Sequence, residues 1–150
     1  MLGKYCKSLQ GAVLALVLLA ILPVPASAAA PAGLSAEQVA GLEQRVRERW
    51  QALSANDYAK AWEFSTPVYR GIFPKELYVL QFSYAVEREL TGVEVVDYDA
   101  AAAVASVTAR VMSKPLKQTS EASRAVGAVP VNIHEKWILI DGEWWYSANS

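Results

Sequence analysis

From Ser35 onward the chain changes its hydrophobic period once, from helical spacing to strand spacing. Val39, Leu42, Val46, Trp50 and Leu53 step by three or four positions and make one apolar stripe on a helix. Ser35 opens that helix, and Gln38 three residues on completes a capping box. Glu43, Arg45, Arg47, Glu48 and Arg49 read as its solvated charged face. Asn56 or Asp57 caps a second, shorter helix with Tyr58, Ala61 and Trp62 on its inner side. Ser65-Thr66-Pro67 stops that helix and starts another turn, because proline is accepted at a first helical position, and Phe73-Pro74 repeats the device. Leu77, Leu80 and Gln81 predict a last short helix ending near Tyr84.

After Val86 the pattern is that of strands. Val93, Val95, Val96 and Tyr98 form one, and Ala101 to Val111 form another, with Asp97 to Ala100 as the turn between them. In the second strand Ala103, Ala105, Val107, Ala109 and Val111 share a uniformly apolar face that should be buried. Lys114 to Ala125 is polar, carries Pro115 and has no period, which predicts an exposed loop. Ile133 to Ile140 and Glu143 to Ser147 then flank Asp141-Gly142, a pair suited to a two-residue type I′ turn. Such a turn sets the register: Leu139 faces Trp144 and Trp137 faces Tyr146. Glu135, Trp137, Leu139, Trp144 and Tyr146 therefore share one face, assigned to the core. His134, Lys136, Ile138, Glu143, Trp145 and Ser147 share the other. Helices first and antiparallel strands after them make an α+β domain, N-terminal helices packed on a curved antiparallel sheet.

The first 34 residues belong to a different reading. Lys4 and Lys7, the short apolar run Gly11 to Leu22, the helix-breaking Pro23 and Pro25, and Ala26-Ser27-Ala28 have the order of a cleavable export signal. The run is well short of the ~20 apolar residues that span a bilayer. Cleavage is expected after Ala28, with a second site after Ala30. Residues 29–34 read as a disordered lead, and residues 35–150 as one α+β domain. The product is expected in the periplasm or the medium, with no stable membrane anchor after cleavage.

Composition narrows the function. The chain's only cysteine, Cys6, precedes the apolar run, so no disulfide staples the mature domain. Removing Lys4 and Lys7 from the 14 basic side chains leaves 12 against 15 acidic ones, a net charge near −3. That balance argues against nucleic acid and against an anionic membrane surface.

Three places resemble the nuclear transport factor 2-like superfamily, the cone-shaped fold shared with ketosteroid isomerase and the SnoaL-like polyketide cyclases. They are Arg49-Trp50-Gln51-Ala52-Leu53 with Asp57-Tyr58-Ala59-Lys60-Ala61-Trp62, then Ser65 to Arg70, and the hairpin Glu135-Lys136-Trp137 with Asp141 to Tyr146. The resemblance implies a deep pocket between the helices and the concave sheet face. It also implies dimers through the sheet's other face. No catalytic residue of those enzymes maps onto a position here, and fold likeness does not carry function.

The candidate chemistry is sparse. His134 is the only histidine, so no two-histidine metal site exists, and there is no Gly-rich phosphate loop or nucleophile elbow. No cofactor or metal is implied. Glu135, among aromatic side chains, fits either a carboxylate acid or base or an ion pair with an arginine such as Arg70. Trp62, Tyr69, Trp137, Trp144 and Tyr146 fit either the lining of a ligand pocket or ordinary core. Arg70 fits an anion clamp or a salt bridge. The leading expectation is an exported, non-catalytic domain that binds a small apolar or aromatic ligand or a protein partner, possible as a homodimer through the outer sheet face around Ile138 and Trp145. The alternative is an isomerase, dehydratase or cyclase with Glu135 as base and Tyr69 or Tyr146 as donor.

Overall fold

A computed structural model describes residues 30–82, 86–116 and 119–148. The export signal at residues 1–28 and the helix end near Tyr84 lie outside these residues. Helix α1 spans Ala36–Ser54. Its capping box is formed as read: Gln38 N donates to Ser35 Oγ at 3.2 Å and Ser35 N donates to Gln38 Oε1 at 2.8 Å. Residues 31–34, expected as a disordered lead, instead make a turn in which Leu34 N donates to Pro31 O. Leu34 is buried there, and the Gly33 site abuts the Tyr98 ring.

Three short helices follow: α2 (Tyr58–Trp62), α3 (Pro67–Ile72) and α4 (Lys75–Leu80). Asp57 caps α2 by accepting from Lys60 N at 2.9 Å. Thr66 caps α3, with Pro67 in its first turn. On α4 the inner residue is Tyr78, 3% exposed, whereas Leu77 and Leu80 are 49% and 69% exposed. The leucines that predicted this helix are thus not the residues it buries. A six-residue helix offers less than two turns, and the large amphipathic Tyr78 ring wins the inward position.

The sheet has four antiparallel strands in chain order: β1 (Val86–Asp99), β2 (Val104–Pro115), β3 (Val129–Ile140) and β4 (Glu143–Tyr146). A five-residue helix, α5 (Glu121–Ala125), lies in the β2–β3 connection that the sequence presented as loop alone. The architecture is α+β with an open antiparallel sheet.

Strand limits differ from those read in the sequence. β1 starts seven residues before Val93, and two bulges along it absorb the irregular hydrophobic spacing. The β1–β2 turn lies at residues 100–103, not 97–100. Asp99 Oδ1 accepts from both Ala101 N and Ala102 N, and Ala103 sits at φ 54°. An aspartate that bonds the backbone two residues ahead builds such a turn, which displaces Ala103 from the strand. Ala105, Val107, Ala109 and Val111 are all buried, as the alternation required.

The final hairpin has the expected register, with Ile140 opposite Glu143 and Trp137 opposite Tyr146. Asp141 and Gly142 both take positive φ, 51° and 81°, as a type I′ turn demands. Phe64 to Thr66 closes the β4 edge: Tyr146 N donates to Phe64 O at 2.8 Å and Thr66 N donates to Tyr146 O at 3.2 Å. This joint brings the α2–α3 connection against the last strand.

Candidate functional site

The aromatic residues nominated by the sequence divide between two places. The first is a closed polar cluster between α1 and the sheet. Glu135, on the inner face of β3, is buried, with its side chain 1% exposed. Its partner is Arg49 rather than Arg70: Arg49 Nη1 donates to Glu135 Oε1 at 2.7 Å. Trp137 Nε1 donates to Oε2 of the same carboxylate at 2.9 Å. The Arg49 guanidinium stands 3.5 Å over the Tyr146 ring.

Burial works against the charge of Arg49, but Glu135 and the polarity of Tyr146 and Tyr78 outweigh it, and the guanidinium is held even more firmly protonated than usual. Burial also pushes the Tyr146 phenol above its ordinary range. Arg49 opposes that shift and Glu135 adds to it. Tyr69 is raised by burial and by its neighbours Tyr78 and Tyr146; of these phenols, Tyr146 and Tyr78 stand beside the ion pair. Trp137 is fully buried, and Trp144, also buried, meets Tyr98 edge-on at 6.0 Å. The space that the fold resemblance assigned to a deep pocket is thus filled here by Arg49, Glu135 and Trp137. With both carboxylate oxygens already accepting charge-assisted or indole hydrogen bonds, Glu135 is built as a counter-ion.

Arg49 and Tyr78 are the members of this cluster that the sequence reading missed. Arg49 was placed on the solvated face, yet it is 5% exposed. A signal was present: Leu42, Val46, Arg49 and Leu53 step by four, three and four, so Arg49 lies on the buried stripe.

The second place is an open cleft of ≈ 310 Å³ lined by Arg45, Lys60, Trp62, Glu63, Phe64 and Arg70. Trp62 is fixed by donating from Nε1 to Phe73 O at 2.9 Å. Cations and aromatic rings alternate along the wall. Lys75 Nζ stands 5.1 Å from the Trp62 ring, and the Arg70 guanidinium lies between Trp62 (5.6 Å) and Trp145 (4.9 Å). Arg45 follows between Trp145 (5.3 Å) and Phe64 (4.8 Å). Trp145, expected on the free outer face, is half-buried in this stack.

Ion pairs occupy most of these cations. Arg45 bonds Glu143 at 2.7 Å, and Glu63 takes Lys60 at 3.0 Å and Lys75 at 3.3 Å. The hydrogen bond from Lys60, with that from Lys75, holds the Glu63 carboxyl below its usual range against a small desolvation effect. Arg70 has no ion pair among the described residues, and its buried Nε makes no hydrogen bond.

The outer sheet face carries Thr108 Oγ1 and His134 Nδ1 at 3.1 Å, and Lys136 Nζ donates to Ser106 Oγ at 2.6 Å. His134 is exposed there, as its register required. Among the described residues no group of three or more His, Cys, Asp or Glu side chains is placed to hold a metal ion.

No protein-family model and no curated protein matches the chain. Among solved structures it is similar to the solution structure of a SEC-C motif containing protein from Rhodopseudomonas palustris. That likeness has 14% sequence identity and a TM-score of 0.48, and covers 72% of this chain and 76% of the other. The resemblance to the nuclear transport factor 2-like superfamily is therefore corrected: no family model matches the chain, and nothing in these comparisons assigns it to that superfamily. The motifs behind it, an aromatic helix step and an Asp-Gly hairpin, follow from packing helices on an antiparallel sheet and do not separate one such family from another.

Proposed function

We propose that this protein is an exported binding module that takes a small ligand at the cleft between α2, α3 and the β4 edge, and performs no chemistry in its core. The observation that carries the reading is the contrast between two charged groups. Glu135 is closed in by Arg49 and Trp137, while Arg70 lines an open cleft with no acidic partner among the described residues. A binding site is expected to combine a concave, partly aromatic wall with a few convergent polar groups, and the cleft has both. An isomerase-type role would need the Glu135 carboxylate free to take a proton from a substrate, and both its oxygens are engaged. Export is supported by Lys4, Lys7, the apolar run and Ala26-Ser27-Ala28.

Native mass spectrometry of the protein taken gently from its own compartment tests both halves of the reading. The expected chain begins at Ala29 or Pro31 and carries an added mass that is lost on denaturation. A chain that retains residues 1–28 counts against export, and a bare chain counts against a resident ligand.

A further inference from the structure

We infer that the cleft recognises an organic oxyanion borne on a flat apolar body, such as an aryl carboxylate or aryl phosphate, with Arg70 as the anion-binding residue. This rests on the binding-module reading above and specifies its site and ligand class. Four cations surround the cleft, Arg45, Lys60, Arg70 and Lys75, against two carboxylates, Glu63 and Glu143. Glu48 and Asp57 line the adjoining groove with Arg45, Lys60 and Phe64, so the excess positive charge of the cleft is local to the one of its four cations that has no ion pair among the described residues.

Arg70 is the focus of that excess. Its guanidinium carbon lies 5.6 Å from the centre of the Trp62 ring and 4.9 Å from that of Trp145, and these cation–π contacts hold it in the cleft wall. Its Nε is buried with no hydrogen-bond partner, and no carboxylate among the described residues pairs with the guanidinium, which leaves the Nη edge for a ligand. Two oxygens of a carboxylate or phosphate match that edge side by side, a geometry a neutral hydroxyl cannot reproduce. The wall beside Arg70 sets the rest of the ligand: Trp62, half-buried, offers ring surface in the same cleft, and a flat apolar group can lie against it. Lys60 and Lys75 share the single negative charge of Glu63, one on each carboxylate oxygen, whereas Arg70 has no carboxylate partner among the described residues.

The test follows the indole N–H signals of Trp62 and Trp145 in proton–nitrogen correlation spectra of the purified protein. Benzoate, phenyl phosphate, inorganic phosphate and benzyl alcohol are titrated separately. Benzoate, phenyl phosphate or both should shift these signals and saturate, with a dissociation constant on the order of a millimolar for so small a probe. Whichever binds more tightly identifies the oxyanion. Benzyl alcohol and inorganic phosphate should each bind at least about ten-fold more weakly, having lost the charge or the ring. Arg70→Gln should weaken the best probe by at least about ten-fold, the loss expected for a charge-assisted pair of hydrogen bonds.

If Arg70→Gln fails to fold, Arg70→Lys keeps the charge and loses the fork, and it should still weaken binding several-fold. Benzyl alcohol binding as tightly as benzoate overturns the proposal, as does no response to either aryl anion or unchanged affinity in the Arg70 variants. A co-purified ligand that stays bound in Arg70→Gln would leave the binding-module reading standing and remove this site from it.

Discussion

Arg49 and Glu135 show how strongly one buried pair constrains this small core. Each is desolvated, and each is tolerable only because the other neutralises it at 2.7 Å. Glu135→Gln leaves Arg49 charged and unpaired, and should cost about 3–5 kcal/mol of unfolding free energy. The double replacement Arg49→Met with Glu135→Leu should recover most of that loss, since apolar groups of similar volume need no counter-charge. Urea unfolding of the native protein and the two variants checks this, and a double variant as weak as Glu135→Gln would contradict it.

Tyr146 adds a pH dependence. Its folded pKa is raised above the ordinary 10.0, chiefly by burial. Below the unfolded pKa both states hold the proton and stability is complete. As pH climbs through the folded pKa, only the folded state still holds it at first, and stability is lost. Tyr146→Phe should therefore show a shallower decline than the native protein from about pH 9 to about pH 11, read by thermal melting. Parallel declines would mean that the other phenols, Tyr69 among them, govern the alkaline limit.

At the level of elements, the first helix and the last hairpin are set by local chemistry. The Ser35–Gln38 capping box supplies two hydrogen bonds to free backbone N–H groups, and Ser35→Ala should destabilise by about 1 kcal/mol. The hairpin turn is stricter. Gly142 sits at φ 81°, where a β-branched side chain is strained, so Gly142→Val should cost about 1–2 kcal/mol and shift the urea midpoint accordingly. An unchanged midpoint would show that the hairpin tolerates another turn. These two features were legible in the sequence because each depends on residues within four positions of one another. The β1–β2 turn was not. Asp99 competes with Asp97 and the glycine-free stretch after it, and only pairing with β2 selects which aspartate bends the chain.

Across the molecule, the cleft is assembled from four elements that meet only after folding: Arg45 from α1, Lys60 and Trp62 from α2, Arg70 from α3 and Trp145 from β4. Trp145 holds two of them through its cation–π contacts. Trp145→Ala should lower stability by about 1–2 kcal/mol and speed amide exchange at Thr66, whose N–H reaches Tyr146 O. Exchange unchanged at Thr66 would mean that the backbone joint to β4 stands without the ring stack. Of the residues singled out from sequence, Trp62 and Arg70 belong to this cleft, whereas Glu135, Trp137 and Tyr146 belong to the closed core cluster.

The sequence by itself determined the order of the first four helices and the four strands, the α+β class, the capped first helix, the buried face of β2 and the register of the last hairpin. Each of these is encoded by period or by turn chemistry over short stretches. Only the tertiary structure decided which arginine meets Glu135, which side chain of α4 turns inward, and that Trp145 packs between Arg45 and Arg70. Those choices join residues dozens of positions apart. A charged residue can lie on a helix's apolar stripe, as Arg49 does, whenever a partner across the core neutralises it, and no local pattern records that partner.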